Sequence, residues 1–284
     1  MRGWARLSSV LAAGLVAGCA STYVWTTPGI PPIMPLKASD IAAFARNSTC
    51  AAHHWANGQG RAPGVYTEGV ALVFARALCH PERAEVAAAS APAGRPDGKE
   101  RDALDHYGPE LRAIGMTGEE GPEDRLRFGY VVLIGLGMEE SSGRHCLGRW
   151  MEDPYSEHDS AEAGIFQTSY GARRYHPTLE PLYQRYKADE SGCMLATFSP
   201  GISCPEEDAK NWGEGEGVNW QALTKRCPAF STEYGVVVLR HGGGARGEFG
   251  PMRRKTVEIS GECNLMFQGI QTLVRNHPEV CAGL

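Results

Sequence analysis

Phe128 to Met138 form an almost unbroken apolar run, "FGYVVLIGLGM", with Gly129, Gly135 and Gly137 inside it and two glutamates, Glu139 and Glu140, directly after it. At eleven residues the run is too short to cross a bilayer as a helix. Its periodicity fits a buried strand or a buried helix, and its length favours the helix. Each glycine lowers helix propensity by about 1 kcal/mol relative to alanine. Such a helix must be held by tertiary packing, with the glycines letting neighbours approach closely. Whatever else the chain forms has to pack around this element.

The flanking segments are mostly helical in pattern. "SDIAAFAR" opens with Ser39 as an expected N-cap, and "GVYTEGVALVFARALC" (64–79) follows as a second helix. "TLEPLYQRYKAD" is helical, and "GECNLMFQGIQTLVRN" forms a last helix with Pro278 past its end. The stretches after Ala89, "TGEEGPED" and "NWGEGEGVNW" are turn-rich loops. No internal repeat is present. The expected class is mainly α, in one domain over residues 39–284.

The N-terminus reads as an export signal. Arg2 and Arg6 precede the apolar "LSSVLAAGLVAG", and "LVAGC" (Leu15 to Cys19) resembles a bacterial lipobox. That resemblance implies cleavage of residues 1–18 and lipidation of Cys19. The alternative is a plain signal peptide cut near Ala20 and Ser21. Residues 19–38 read as a tether; its proline-rich part, residues 20–36, has a reach of roughly 50 Å at about 3.1 Å per residue. The expected location is the cell envelope, anchored in the outer membrane and facing the periplasm.

Eight cysteines remain besides Cys19. An even number in an exported chain points to disulfides, and eight cysteines allow 105 pairings. Local pairs such as Cys50–Cys79 and Cys193–Cys204 are the simplest guesses. No C-x-x-C occurs, which argues against a thioredoxin-like centre or a zinc ribbon. The net charge is −5, and removing the two signal-peptide arginines makes it −7. Nothing supplies the basic face that nucleic acid binding needs.

A carboxylate at a helix C-terminus faces the negative end of the helix dipole, and apolar walls desolvate it. Both disfavour ionisation and raise its pKa. A carboxylic acid that keeps its proton near neutrality can act as a general acid, as glycoside hydrolysis requires. The structural alternative is a solvated glutamate where a helix meets water.

Downstream, "AEAGIFQTSY" spans Ala161 to Tyr170. With "MEESSG", it resembles the lysozyme-like superfamily, particularly lytic transglycosylases and goose-type lysozymes. These carry an apolar helix before a Glu-Ser pair, then a Gly-hydrophobic-hydrophobic-Gln segment lining the glycan cleft. Glu140-Ser141 matches the first element and Gly164-Ile165-Phe166-Gln167 the second, over about 45 residues of the 284. The resemblance implies a lysozyme-like helical domain with Glu140, not Glu139, as general acid. Ser141 would position it, and Gln167 and Tyr170 would line the sugar site. Asp159 and Glu162 are the candidates for a second carboxylate, which a lytic transglycosylase does not need. The family's tyrosine-bearing downstream segment has no clean copy; Tyr234 is among the nearest candidates. Trp55, Trp150, Trp212 and Trp220 could stack on sugars or pack in the core, Trp150 being the best placed for stacking.

The implied ligand is the peptidoglycan glycan strand, with no metal or organic cofactor and no nucleotide. "GGGARG" (242–247) fits a dinucleotide fingerprint, but Pro251 argues against a helix opening at its last glycine. It reads better as a flexible loop near the cleft, with Arg246 available for ligand contacts. His53-His54, Cys79-His80 and His145-Cys146 lack recurrent metal-ligand spacing. Two other functions stay open: a non-catalytic wall-binding or scaffolding lipoprotein on the same fold, and a chitinase- or chitosanase-like hydrolase.

Overall fold

The computed structural model describes residues 35–92, 102–148 and 157–284. The expected signal peptide, Cys19, most of the expected tether and Trp150 lie outside the described residues. Within them 61% of residues are helical and 3% are in strands, so the chain is mainly α. Seven helices exceed eight residues among the described residues: α1 (Ala38–Arg46), α2 (Gly64–Cys79), α3 (Pro122–Ser141), α4 (Leu179–Ala188), α5 (Glu216–Arg226), α6 (Pro228–Gly242) and α7 (Gly261–Asn276).

α3 contains the apolar run and is buried continuously from Leu126 to Met138. Pro122 opens it, and Glu123 and Asp124 in its first turn complement the positive end of its dipole. α2 and α6 are also buried on nearly every face. These three pack on one another, and α7 lays its apolar face against α2 and α3 while α1 covers α2. α1 begins one residue before the expected cap. Lys37 is its N-cap, because the Lys37 N–H donates to the Asp40 carboxylate (2.8 Å), leaving Ser39 inside the first turn.

Buried charges tie the helices together through hydrogen bonds. Arg76 of α2 donates to Glu233 of α6 (2.8 Å) and to the Tyr186 hydroxyl of α4 (2.6 Å). Arg127 of α3 donates to Asn264 (3.1 Å) and Gln271 (2.8 Å) of α7. Arg240 pairs with Asp102 (3.0 Å) and also donates to the Ala89 carbonyl. Removing one partner from such a buried set leaves an uncompensated charge, so each fixes the register of two elements.

Four disulfides join Cys50–Cys263, Cys79–Cys281, Cys146–Cys204 and Cys193–Cys227. The local pairs Cys50–Cys79 and Cys193–Cys204 are therefore incorrect. α7 and the C-terminal 3-10 turn (Pro278–Gly283) pack against α2 and its neighbours, which brings each early cysteine beside a late one.

The strands β1 (His54–Trp55) and β2 (Gly60–Arg61) form a small antiparallel hairpin whose tip carries Asn57 and Gly58 at positive φ. The glycine-rich segment after α6 is folded tightly and is not an open loop. The Glu248 N–H donates to the Gly242 carbonyl, and a Cβ on Gly247 would lie 1.9 Å from that same oxygen. A short helix, Gly250–Arg254, follows and packs on α3.

The glycines of α3 mark its closest contacts. A Cβ on Gly135 would sit 2.3 Å from the Glu258 backbone carbonyl. A Cβ on Gly137 would sit 2.2 Å from the Tyr66 hydroxyl and 2.8 Å from the Phe166 ring. Overpacking of this kind costs about 1–3 kcal/mol, more than the roughly 1 kcal/mol alanine gains in helix propensity. We expect Gly135→Ala to lower the urea midpoint of unfolding. A midpoint at or above wild type would show that α3 and the Glu258 segment can separate without cost.

Candidate active site

α3 runs out of apolar residues at Met138, and its C-terminus is closed by Ser142 in the left-handed conformation (φ 52°). The Ser142 N–H donates to the Met138 carbonyl (3.0 Å) and the Gly143 N–H to the Gly137 carbonyl (3.0 Å). Glu139 and Glu140 therefore sit in the last turn, about 100° apart around the axis.

Their surroundings differ. Glu139 accepts a hydrogen bond from the Asn57 amide at the hairpin tip (3.1 Å) and lines a shallow depression with Trp55, Gln59, Thr256 and Glu258. The hairpin is clipped there by three further contacts. The Ser142 hydroxyl donates to the Gln59 side chain (2.6 Å), the Ala56 N–H donates to Glu258 (2.7 Å), and His53 lies 2.9 Å from Glu258.

Glu140 is mostly buried and has no hydrogen-bond or ion-pair partner among the described residues. Burial lifts its carboxyl from the ordinary 4.5 to about 8. The charge of Glu162 adds to the rise, the Arg254 guanidinium opposes it, Glu139 adds again and Arg253 opposes. The negative end of the α3 dipole acts in the same direction as burial. Near neutral pH the group holds its proton.

The second sequence element meets the first. Ala163 and Thr168 form an antiparallel bridge that closes the Gly164–Gln167 turn, with Gly164 at φ 80° and Gln167 at φ 45°. The Phe166 ring reaches the space left open at Gly137, one turn before Glu140. The Gly164 N–H donates to the Leu147 carbonyl, on the loop that leaves α3 (2.9 Å). Glu162 precedes this turn, which explains how its charge reaches Glu140.

The other expected residues fall as follows. Gln167 is only 4% exposed, and its Nε2 donates to the Gly164 carbonyl (2.9 Å), bracing the turn from inside. The Ser141 hydroxyl donates to the Gly137 carbonyl (3.0 Å), so it bonds the helix backbone. Tyr234 is fully buried, and its hydroxyl donates to the Ser169 carbonyl (3.1 Å), supporting the chain after the turn. Tyr170 is buried beneath the Arg173 guanidinium (3.7 Å). Asp159 pairs with His158 (3.3 Å) and Arg173 (3.6 Å). Trp55 and Trp220 are core residues at 4% and 0% exposure, whereas Trp212 is 45% exposed.

The cations beside Glu140 were missed by the sequence reading, which singled out Arg246, an exposed residue on the preceding turn. The available signal was the consecutive Arg253-Arg254-Lys255 following the glycine-rich segment. Donor atoms of His145, Cys146 and Cys204 lie within 4.8 Å of one another. Both sulfurs are consumed in a disulfide, so neither offers the thiolate that metal binding needs. Comparison with protein-family models, with curated proteins and with solved structures gives no match.

The raised pKa has a consequence for stability. Between 4.5 and about 8 the folded state keeps a proton on Glu140 that the unfolded chain has lost. Stability therefore falls as pH rises through that window, by up to about 1.4 kcal/mol per pH unit from this group. Glu140→Gln is expected to flatten the urea midpoint between pH 5 and pH 9 and to exceed wild type at the alkaline end. An unchanged profile would place the Glu140 carboxyl at an ordinary pKa. Glu162→Gln is expected to move the Glu140 titration, followed by carboxyl NMR, downward; an upward shift would contradict the coupling.

Proposed function

We propose that the protein cleaves the glycan strands of peptidoglycan, as a lytic transglycosylase or muramidase on a lysozyme-like helical fold, with Glu140 as the proton donor. The observation that carries the reading is a single one: an unpaired, mostly buried carboxyl at the end of α3 whose pKa is raised to about 8, with the Gly164–Gln167 turn packed against the same helix end. The acid donates its proton to the glycosidic oxygen as the C1–O bond breaks, leaving positive charge on the sugar ring. Glu139, held by Asn57, is the less suitable donor.

Two outcomes are open to the ring cation. Attack by the sugar's own hydroxyl forms an anhydro product and returns a proton to Glu140. Attack by water forms a reducing end. Of the two carboxylates considered for assisting water, Glu162 shares the field of Glu140, while Asp159 is paired with His158 and Arg173. In this reading Gln167 and Tyr234 brace, from inside the fold, the turn that packs beside Glu140.

Digestion of purified sacculi by the mature chain, with mass spectrometry of the products, tests the reading. Anhydro ends identify transglycosylation and reducing ends identify hydrolysis. General acid catalysis contributes about 10²–10⁴-fold, so Glu140→Gln is expected to lower the rate by that factor. The wild-type rate should fall as pH rises above about 8, where the acid loses its proton. Full activity in Glu140→Gln, or intact sacculi with the wild type, would overturn the assignment.

A further inference from the structure

The four disulfides differ in their surroundings. Cys50–Cys263 and Cys193–Cys227 are buried, and Cys79–Cys281 is half-buried at both ends. In Cys146–Cys204 the two ends are unlike: Cys146 is buried, whereas Cys204 is exposed, alone among the described cysteines. This bridge joins the loop leaving α3 to the segment before the short helix Glu206–Ala209. The next residue on that loop is Leu147, whose carbonyl accepts the Gly164 N–H (2.9 Å).

His145, just before Cys146, is buried, and its ring is held in one orientation. Its Nδ1 lies 2.8 Å from the Lys225 carbonyl, in the last turn of α5. A carbonyl only accepts, so Nδ1 carries the hydrogen and donates it. In the neutral ring Nε2 is then the basic nitrogen, and it lies 3.9 Å from the Cys204 sulfur. Both sulfurs and a ring nitrogen of His145 lie within 4.8 Å of one another. An orienting acceptor, a base and a sulfur in sequence are the arrangement that activates a thiol. An imidazolium formed there faces the negative, C-terminal end of α5.

The other charged groups around the pair are engaged with one another or with backbone. Arg144 pairs with Asp208 (3.4 Å), and Lys225 donates to the carbonyls of Asp208 (3.2 Å) and Lys210 (2.8 Å). Glu206 and Glu207 lie on the Cys204 side of the bridge and are exposed. Of these side chains only His145 contacts the Cys204 sulfur among the described residues. A thiolate beside an imidazolium is stabilised, and a stabilised thiolate leaves a disulfide more readily.

We propose that Cys146–Cys204 is a redox-active disulfide that exchanges with external dithiols, with Cys204 as the attacked sulfur and His145 as the acid–base group. His145 Nε2 takes the proton of the incoming thiol as its sulfur bonds to Cys204. The Cys146–Cys204 bond breaks, its electron pair leaves on the Cys146 sulfur, and His145 passes the proton there. The second thiol of the dithiol then attacks the first, giving its proton to His145 and releasing Cys204 as a thiolate beside the imidazolium. Two electrons and two protons have moved to the protein, and the dithiol has become a disulfide. This chemistry stands whether or not the chain cleaves glycan.

The test exposes the full oxidised chain to limiting dithiothreitol at neutral pH, traps free thiols with N-ethylmaleimide at intervals and maps them by mass spectrometry. Cys146 and Cys204 are expected to be labelled before Cys79 and Cys281, the other accessible pair. His145→Gln keeps an amide donor for the Lys225 carbonyl and removes the base. It is expected to slow opening of Cys146–Cys204 by at least about tenfold, as loss of an acid–base group does, and to leave the Cys79–Cys281 rate unchanged. Labelling of Cys79 and Cys281 first or equally fast, or an unchanged Cys146–Cys204 rate in His145→Gln, overturns the proposal. A second measurement titrates Cys204 in Cys146→Ser by thiolate ultraviolet absorbance. The midpoint is expected below the ordinary thiol value of about 8.5 and to return toward it when His145→Gln is added; a midpoint at or above that value overturns the assignment of His145. Should Cys146→Ser fail to fold, the labelling rates with and without His145→Gln decide.

Discussion

α3 has no solvent-facing side between Leu126 and Met138, and the rest of the molecule is arranged to satisfy that condition. A helix buried on every face cannot rely on one amphipathic stripe; it needs neighbours all round. α2, α6 and α7 supply them, together with the Thr256–Glu258 segment and the turn that carries Phe166. The glycines set where those neighbours come closest. At Gly135 a backbone carbonyl takes the space of a side chain, and at Gly137 a tyrosine hydroxyl and a phenyl ring share it. The first acidic side chains after this run emerge at the C-terminal end, and at Glu140 the dipole and burial both resist ionisation.

Two adjacent glutamates thereby acquire different chemistry from one backbone turn. Glu139 rotates toward the hairpin and is met by an amide donor, while Glu140 rotates toward Glu162 and meets no donor among the described residues. Burial, with the charge of Glu162 adding to it, favours the neutral form of Glu140. The donor to Glu139 comes from the hairpin tip, whose Asn57 and Gly58 take up left-handed backbone conformations.

Much of this was legible in the amino-acid order. The unbroken apolar run with glycines at intervals announced a packed helix, and its end at Met138 located the two acids. The Gly-Ile-Phe-Gln segment stood out only through its family resemblance; that it closes into a turn became visible in the fold. What local pattern could not show was which groups the tertiary fold would turn inward. Gln167 and Tyr234 have the polar tips expected of ligand contacts, yet both donate to backbone carbonyls inside the fold. The charges of Arg253 and Arg254 act on Glu140 from more than a hundred positions away because a five-residue helix packs on α3. Disulfide partners failed for the same reason: sequence proximity of Cys50 to Cys79 says nothing about α7 lying across α2.

The bridges Cys50–Cys263 and Cys79–Cys281 span 213 and 202 residues of chain. A polypeptide that meets an oxidising compartment N-terminus first would present Cys50 and Cys79 to each other long before either native partner emerges. The bond formed most readily at that stage is one the finished molecule does not contain. Reaching the final connectivity then requires that early pair to be attacked by a thiolate and exchanged. For a chain exported in that way, maturation would be a proofreading problem, its yield depending on the compartment's capacity to shuffle sulfur bonds as much as on its power to make them.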